Sequence, residues 1–535
     1  MLILLCNRGI LTSGFGLWPE PGVGGVLREE GIMRKVVVIS GVVLSLGVVC
    51  LAGYGGVSGA AEYPCLIGSM ALMQIEGVAD AVRPEIAVVV DGGKRHQTIE
   101  GFGTCLVAWV GRFRDLYRTE EFQRIYVEGV GCNMLRVNMW GPTYERPTED
   151  WRGISCEDFD MDADGGRPRI FVDFGLGIRK IDPRVKIIGT VWSPPAWMKV
   201  NQSITDKRSG AIRAASYGTI NNRVDPKYFR HFCKWMVEYV KLHDKMGVPF
   251  YAVSPGNEVQ FTQSFESCVW DGKDFAAIVI MLREMLNAEG YKHVKIFGPE
   301  TMTSHLYEGG TGSYVDMIKG NAGALAALDV FATHGYEDGV KGEMSATSSR
   351  QFWELIAEAG KPFWITEGGT GNHDWPSPIH QGIGNAIHNA LVAGNCSAFV
   401  PWQITEGKPS IHAMMVMDKY TPKTYTAMHY SRFIRPGAQR IDAEPGFGAV
   451  QVGAFLHEAN GDVTVVAINP GEQAETLSLV FRNLEGPALL KAYRTSASEN
   501  LQEVGEVRVR DSRAEFRMTP QSIVTFSGKA RPQSP

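Results

Sequence analysis

Two glutamates, Glu258 in Ser254-Pro-Gly-Asn-Glu-Val and Glu367 in Trp364-Ile-Thr-Glu-Gly-Gly, each close a short apolar run. Two carboxyls set across a pocket can divide acid–base work between them. One keeps its proton and donates it to a leaving oxygen, while the other stays ionised and attacks carbon. An Asn-Glu or Thr-Glu dipeptide means nothing alone, so the weight falls on what else shares the ends of such runs. Those ends carry Trp109, Arg136, Asn138, Trp140, Trp192, Asn257, Glu300, His334, Tyr336 and Trp402. Arg136 can hold a neighbouring carboxyl ionised, because a nearby cation lowers a carboxyl pKa. Glu258, flanked by apolar residues and facing a second carboxylate, is expected to have a raised pKa, as a proton donor needs. Trp192, Trp197 and Trp402 are either platforms for the apolar faces of sugar rings or ordinary core, and Trp140 is a further candidate for binding substrate. Glu300, in Gly298-Pro-Glu, either binds substrate or serves the structure, and the same choice stands for His334 and Tyr336.

The elements that would position these residues repeat. Short apolar runs occur at residues 101–109, 133–139, 186–192, 250–254, 294–298, 330–334, 362–366 and 398–403. Amphipathic helical stretches separate them, as at 228–245, 275–289, 348–358 and 379–393. Eight strands alternating with helices favour a (β/α)₈ barrel, an α/β fold that presents its chemistry at the C-terminal ends of its strands. Strands four and seven then lie across the barrel mouth, which places Glu258 opposite Glu367. After about residue 430 the pattern changes to short strands separated by turn residues, which reads as a β-sandwich. Two strands within residues 84–99 are expected to join it, leaving 100–428 for the catalytic barrel and 429–528 for the sandwich.

Residues 1–32 read as an upstream start-site artefact. Met33-Arg-Lys35 followed by an apolar run and by Ser58-Gly-Ala60 has the layout of a signal peptide over 33–60, so a secreted, periplasmic or cell-surface location is expected. A retained membrane anchor is the alternative. Beyond residue 60 the cysteines number seven, an odd count without CxxC spacing, which argues against a zinc ribbon or a disulfide framework. Cys105, Cys132 and Cys396 read as core thiols, and Cys156 with Cys268 as a candidate loop disulfide. A net charge of −5 makes no electrostatic case for a nucleic-acid or anionic-membrane partner. Asp160-x-Asp162-x-Asp164-Gly165 opens like a calcium loop, but Phe171 stands where a bidentate glutamate is required. An acidic loop before a helix at 170–180 is expected instead. Motifs for nucleotide, metalloprotease or serine-hydrolase chemistry are missing from the sequence.

Four segments resemble glycoside hydrolase family 30: Gln97-Thr-Ile-Glu-Gly-Phe-Gly103, Trp192-Ser-Pro-Pro-Ala-Trp-Met-Lys199, Ser254-Pro-Gly-Asn-Glu258 and Tyr430-Ser-Arg-Phe-Ile-Arg-Pro-Gly437. The second and fourth are long and specific, and the likeness runs from about residue 86 to the C-terminus. It implies a barrel with an attached β-sandwich and a retaining mechanism. Position by position, Glu258 matches the acid/base, Glu367 the nucleophile, Asn257 a residue that holds the 2-hydroxyl, and Arg136 a neighbour of the nucleophile. Two departures stand out. The family has Gln-Asn-Glu-Pro around the acid/base, whereas Gly256 and Val259 flank the pair here. Its glucuronoxylan-specific branch binds a uronate through a basic residue after strand eight, and Gln403-Ile-Thr-Glu-Gly-Lys-Pro409 offers only Lys408.

The expectation is therefore a retaining β-glycoside hydrolase acting on a β-linked polysaccharide or glycoconjugate, with an endo-β-1,6-glucanase or galactanase favoured. Alternatives are an exo-acting β-glucosidase, β-xylosidase or glucosylceramidase and, from another class, a non-catalytic carbohydrate-binding protein on a degenerate barrel. A carbohydrate is the expected partner of a monomer, with no cofactor, metal, nucleic acid or stable membrane insertion.

Overall fold

The computed structural model describes residues 36–39, 42–45 and 85–532, the last span without 107, 109, 207–209, 212–219, 304–310, 338–342, 446–447 and 486. Residues 1–32, the expected cleavage site near Ala60 and Trp109 lie outside the described residues. The chain divides into two units, 1–79 and 80–535. In the first, Val36–Ile39 pairs antiparallel with Val42–Ser45. Among the described residues no helix is long and apolar enough to cross a membrane.

The second unit contains the barrel. Its strands, in order, are Gly101–Cys105, Met134–Asn138, Lys186–Thr190, Phe250–Ser254, Lys295–Thr303, Val330–Tyr336, Phe363–Glu367 and Ala398–Phe399. Each pairs in parallel with the next and the eighth closes on the first. All eight coincide with the apolar runs of the sequence, because a strand covered by helices on one face and by barrel interior on the other must be apolar on both. The barrel interior is filled, not hollow: Cys105, Met134, Ile188, Ala252, Phe297, Ala332, Trp364 and Ala398 form one buried cluster. The first two strands approach so closely that a Cβ on Gly103 would lie 2.1 Å from the Met134 carbonyl oxygen.

Nine strands form the other sheet, in the order Gln502–Arg508, Leu489–Thr495, Ser522–Lys529, Asp462–Asn469, Gln451–His457, Gln439–Pro445, Ile86–Thr98, Glu475–Arg482 and Arg513–Met518. The pairing is antiparallel except between Ile86–Thr98 and Glu475–Arg482. The two edge strands are consecutive in the chain, joined by four residues, so the sheet must curl until its edges meet. It encloses an apolar core that includes Val88, Val90, Val463, Val465, Leu479, Leu490 and Phe526. The two strands expected within 84–99 are one strand of 13 residues. Gln439–Pro445 is a strand that the sequence pattern hides: Ile441 and Ala443 are its buried apolar residues, and Arg440 is buried beside them.

The Cys156–Cys268 pairing is corrected by the structure. Both thiols are free and buried. Cys156 Sγ lies 3.1 Å from Lys245 Nζ, and Cys268 Sγ packs against the Val269 carbonyl. Cys105, Cys132 and Cys396 are buried free thiols. In the acidic loop, Asp162 pairs with Arg169 and Asp164 with Arg167.

Candidate active site

The site is organised around a guanidinium. Arg136, on the second barrel strand, is fully buried. Its Nε donates to Glu300 Oε1 at 3.1 Å and Thr190 Oγ1 at 3.2 Å, one Nη to Glu367 Oε1 at 2.7 Å, and the other to Asn257 Oδ1 at 2.7 Å. The guanidinium also sits 4.4 Å from the Trp192 ring centroid. A planar fork with five donors suits such a junction, where the second, third, fourth, fifth and seventh strands must agree on one geometry. Glu300 is fully buried, accepts from Thr190 Oγ1 at 2.9 Å, and is absent from the cavity lining. Its observed contacts serve Arg136 rather than a ligand.

Glu258 and Glu367 lie side by side. His334 Nδ1 is 3.3 Å from an oxygen of each carboxyl, and the three groups offer ligand atoms all within 4.8 Å of one another. Glu367 also accepts from Tyr336 Oη at 3.2 Å, while Glu258 accepts from Gln263 Nε2 at 3.4 Å. Burial pushes the Glu258 carboxyl up to about 7, as its apolar flanks led us to expect. Burial also raises Glu367, against the opposing pull of His334 and Arg136. Here the expectation of a carboxyl held low by Arg136 is corrected: the contact exists, but loss of solvent outweighs it. Burial depresses His334 to about 4, so the imidazole is neutral at pH 7. One guanidinium thus faces three buried carboxyls, and Glu258 is the one to which it does not donate. Keeping the proton on Glu258 and the charge on Glu367 is the arrangement with least uncompensated buried charge.

Glu258 stands in left-handed backbone, at φ 49°. For a glutamate this is an uncommon, strained conformation of the kind that clusters at functional sites. Its N–H donates to the Glu300 carbonyl at 2.8 Å and its carbonyl accepts from Phe261 N–H at 2.7 Å, which fixes the turn. The Gly256 and Val259 pair is explained at the same place. A Cβ on residue 256 would come within 2.7 Å of Val259 Cγ1 and 3.1 Å of the Trp270 ring, so the two residues fit only together.

A cavity of about 780 Å³ opens on this cluster. Arg136, Asn138, Trp140, Trp192, Asn257, Glu258, Tyr336, Glu367 and Trp402 all line it. Trp192 and Trp402 stand with ring centroids 6.0 Å apart at 42°, forming one aromatic corner. Trp197 instead packs away from the cavity against Tyr228 and His231. His334, like Glu300, is fully buried and absent from the lining, so its contacts are with the two carboxyls. Sequence reasoning did not identify Cys105, Arg167, Gln263, Phe261, Phe265 or Met302 as part of this wall. Cys105 and Met302 lie on barrel strands and Arg167 on the helix after the second, while Phe261, Gln263 and Phe265 follow Glu258 in a segment whose path no periodicity announces.

Glu258, His334 and Glu367 could also hold a cation between them. Such an ion would take the oxygens that proton donation and attack require, so the two uses exclude each other.

No family model matches the chain. It is 27% identical over 350 residues to a glucuronoxylanase, XynC, of Bacillus subtilis, covering 64% of this chain and 73% of that one. With putative glucosylceramidase 1 of Caenorhabditis elegans it shares 20% identity over 424 residues, 73% of this chain and 77% of the other. Among solved structures, a glycoside hydrolase family 30 subfamily 8 xylanase, Xyn30A, from Clostridium acetobutylicum superposes with a TM-score of 0.64 at 21% identity, covering 83% of this chain and 99% of that one. In sequence and in fold the chain resembles glycoside hydrolase family 30, as the four motif segments implied.

Proposed function

With that likeness as the premise, we propose that the protein is a retaining β-glycoside hydrolase in which Glu258 is the acid/base and Glu367 the nucleophile. One observation carries the reading: two buried carboxyls with oxygens within 4.8 Å, of which only Glu367 takes a guanidinium N–H. Retaining enzymes hold their carboxyls roughly 5–5.5 Å apart, whereas inverting ones leave room for a water at roughly 6.5–9.5 Å. Glu258, protonated below its raised pKa, gives its proton to the leaving oxygen as Glu367 attacks the anomeric carbon. Water then enters, gives a proton back to Glu258, and releases the sugar with its original configuration. Asn257, oriented by Arg136, is placed to hold a hydroxyl of the reacting sugar. Trp192 and Trp402 supply apolar contact to its ring.

The substrate we infer is a neutral β-linked polysaccharide or glycoconjugate, with endo-acting β-1,6-glucan or galactan hydrolysis favoured over exo-action. Lys408 is exposed and does not line the cavity, which supports a neutral substrate over a uronate-bearing one. A non-catalytic carbohydrate-binding role is the alternative from another class. The test is a panel of β-linked polysaccharides and aryl glycosides, followed by NMR of the first product from whichever is cleaved. We expect the β-anomer first. Initial release of the α-anomer overturns the mechanism, and binding without turnover of any β-glycoside supports the alternative. We also propose that the protein is exported through the segment starting at Met33 and acts as a monomer. N-terminal sequencing of the protein recovered outside the cytoplasm, starting near Ala61, and its sedimentation coefficient test these points.

A further inference from the structure

Among the described residues the exposed large hydrophobic side chains are Leu176, Phe265, Met317, Ile411 and Leu489. Phe265 is the most exposed of them, at 50%, and of the five it alone lines the cavity that Glu258 and Glu367 share. It stands in the segment that follows Glu258, where Gln263 Nε2 donates to Glu258 Oε2 at 3.4 Å. The stretch of chain that carries the ring therefore also touches the acid/base. That stretch is held from several directions. Ser267 Oγ accepts from the Gln263 N–H and from Asn222 Nδ2, each at 2.9 Å, and the Ser267 carbonyl accepts from the buried Lys199 Nζ at 2.6 Å. Asn222 Nδ2 also donates to Thr262 Oγ1 at 2.7 Å, and the Gln263 carbonyl accepts from the Asp206 N–H at 2.8 Å. Glu266 pairs at 3.1 Å with Arg167, whose guanidinium lies over Trp140, which ties the segment to the helix after the second barrel strand.

A fixed backbone that holds an aromatic ring half in water presents apolar surface that the fold itself does not bury. The surface is flat, and its neighbours Gln263 and Glu266 line the same cavity. An apolar face between hydrogen-bonding groups matches a pyranose, which has an apolar C–H face and a rim of hydroxyls. An alkyl chain has no use for the two polar neighbours. The position also selects a side of the scissile bond. Glu258 gives its proton to the leaving oxygen, so the unit that departs with that oxygen lies on the Glu258 side, while the reacting sugar lies over Glu367. Resting on the glycoside hydrolase reading, we propose that Phe265 is the platform of a leaving-side subsite and stacks on the sugar unit that departs with the Glu258 proton. The same platform holds an acceptor sugar once the glycosyl-enzyme has formed. An acceptor hydroxyl then attacks the anomeric carbon in place of water, its proton passes to Glu258, and the bond to Glu367 breaks.

The experiment compares substrates of the full chain that share a glycone and differ in what leaves. The substrate panel decides the set, such as gentiotriose, β-gentiobiosyl fluoride and octyl β-gentiobioside for a β-1,6-glucan, or xylotriose, β-xylobiosyl fluoride and octyl β-xylobioside for a xylan. Fluoride has no ring to stack, so the ratio of kcat/KM for the trisaccharide to that for the fluoride reads the platform. We expect Phe265→Ala to lower this ratio by about 3- to 10-fold, the size of one aromatic contact. Phe265→Trp, which keeps a flat face, should restore it. In Phe265→Ala the proportion of transfer product formed from the fluoride with added gentiobiose or xylobiose should also fall. Both readouts are ratios within one sample of enzyme, so loss of folded protein moves neither. An unchanged ratio, or an equal proportion of transfer product, overturns the platform while leaving the glycoside hydrolase reading standing. A larger loss on the octyl glycoside than on the trisaccharide assigns the ring to an apolar leaving group and overturns it as well. No turnover of any β-glycoside in the panel sinks both.

Discussion

Replacing Glu258 by Gln turns the electrostatics of the site into two measurable quantities. In the fold its carboxyl titrates at about 7 instead of 4.5 because burial disfavours the charged form. A difference of about 2.5 units at about 1.4 kcal/mol each is worth ~3 kcal/mol. The folded pKa is raised, so the contribution of this group to stability is fully present below about pH 4.5 and is lost as the pH rises through about 7. Glutamine has the same shape, can still accept from Gln263 Nε2, and never ionises. Urea unfolding should therefore show Glu258→Gln close to the parent at pH 4 and more stable by ~3 kcal/mol at pH 8. Activity moves the other way. The proton that must be donated is present on about 90% of molecules at pH 6 and about 10% at pH 8, so kcat/KM for a substrate with a poor leaving group should fall on a basic limb centred near 7. In Glu258→Gln that limb should vanish for an activated aryl glycoside. An equal stability change at both pH values would refute the linkage argument, and a basic limb surviving with the same midpoint would assign the titration to another group.

The two carboxyls can be told apart by azide. Glu258→Ala should lose about 10²–10⁴-fold with a poor leaving group and be accelerated by azide to a β-glycosyl azide, while Glu367→Ala should yield the α-anomer; the opposite anomers would exchange the roles. Activity should survive EDTA with no change in melting temperature, and loss of turnover restored by a divalent cation would assign the Glu258–His334–Glu367 cluster to a metal instead. Arg136→Met leaves Glu300 and Glu367 buried without their cation, which should cost about 3–5 kcal/mol in denaturant unfolding. The same change removes a pull that lowers the Glu367 pKa, so the acidic limb of activity should move to higher pH; an unmoved limb would detach Arg136 from the nucleophile.

Much of this molecule could be read before folding it. Eight apolar runs became eight barrel strands because strands buried on both faces write their positions directly into composition. A strand end is also where such a barrel exposes side chains, so Glu258, Glu367, Arg136, Asn257 and the indoles at 140, 192 and 402 could be named from position alone. Gln439–Pro445 escaped notice because two buried apolar residues, with a buried arginine beside them, leave too faint an alternation, and its place in the sheet comes from hydrogen bonds on both sides. The Cys156–Cys268 pairing failed because proximity of thiols is a distance in space, about which their spacing in the chain says nothing. Glu300 and His334 were visible as strand-end polar residues, yet their burial beneath the cavity depends on which way a strand turns as it leaves the barrel.

What the sequence by itself determined was the kind of residue at each strand end, and hence the carboxyl, cation, amide and aromatic groups available to the site. Only the tertiary structure decided how the guanidinium is shared, with Glu300 and Glu367 receiving its N–H groups and Glu258 none. Charge interaction depends on ångström distances and on exclusion of water, and both are set by five strands converging on Arg136. The same holds for the wall formed by Trp140, Arg167 and Glu266. Residues 140 and 266 lie on loops after different strands, and barrel closure brings them to one cavity.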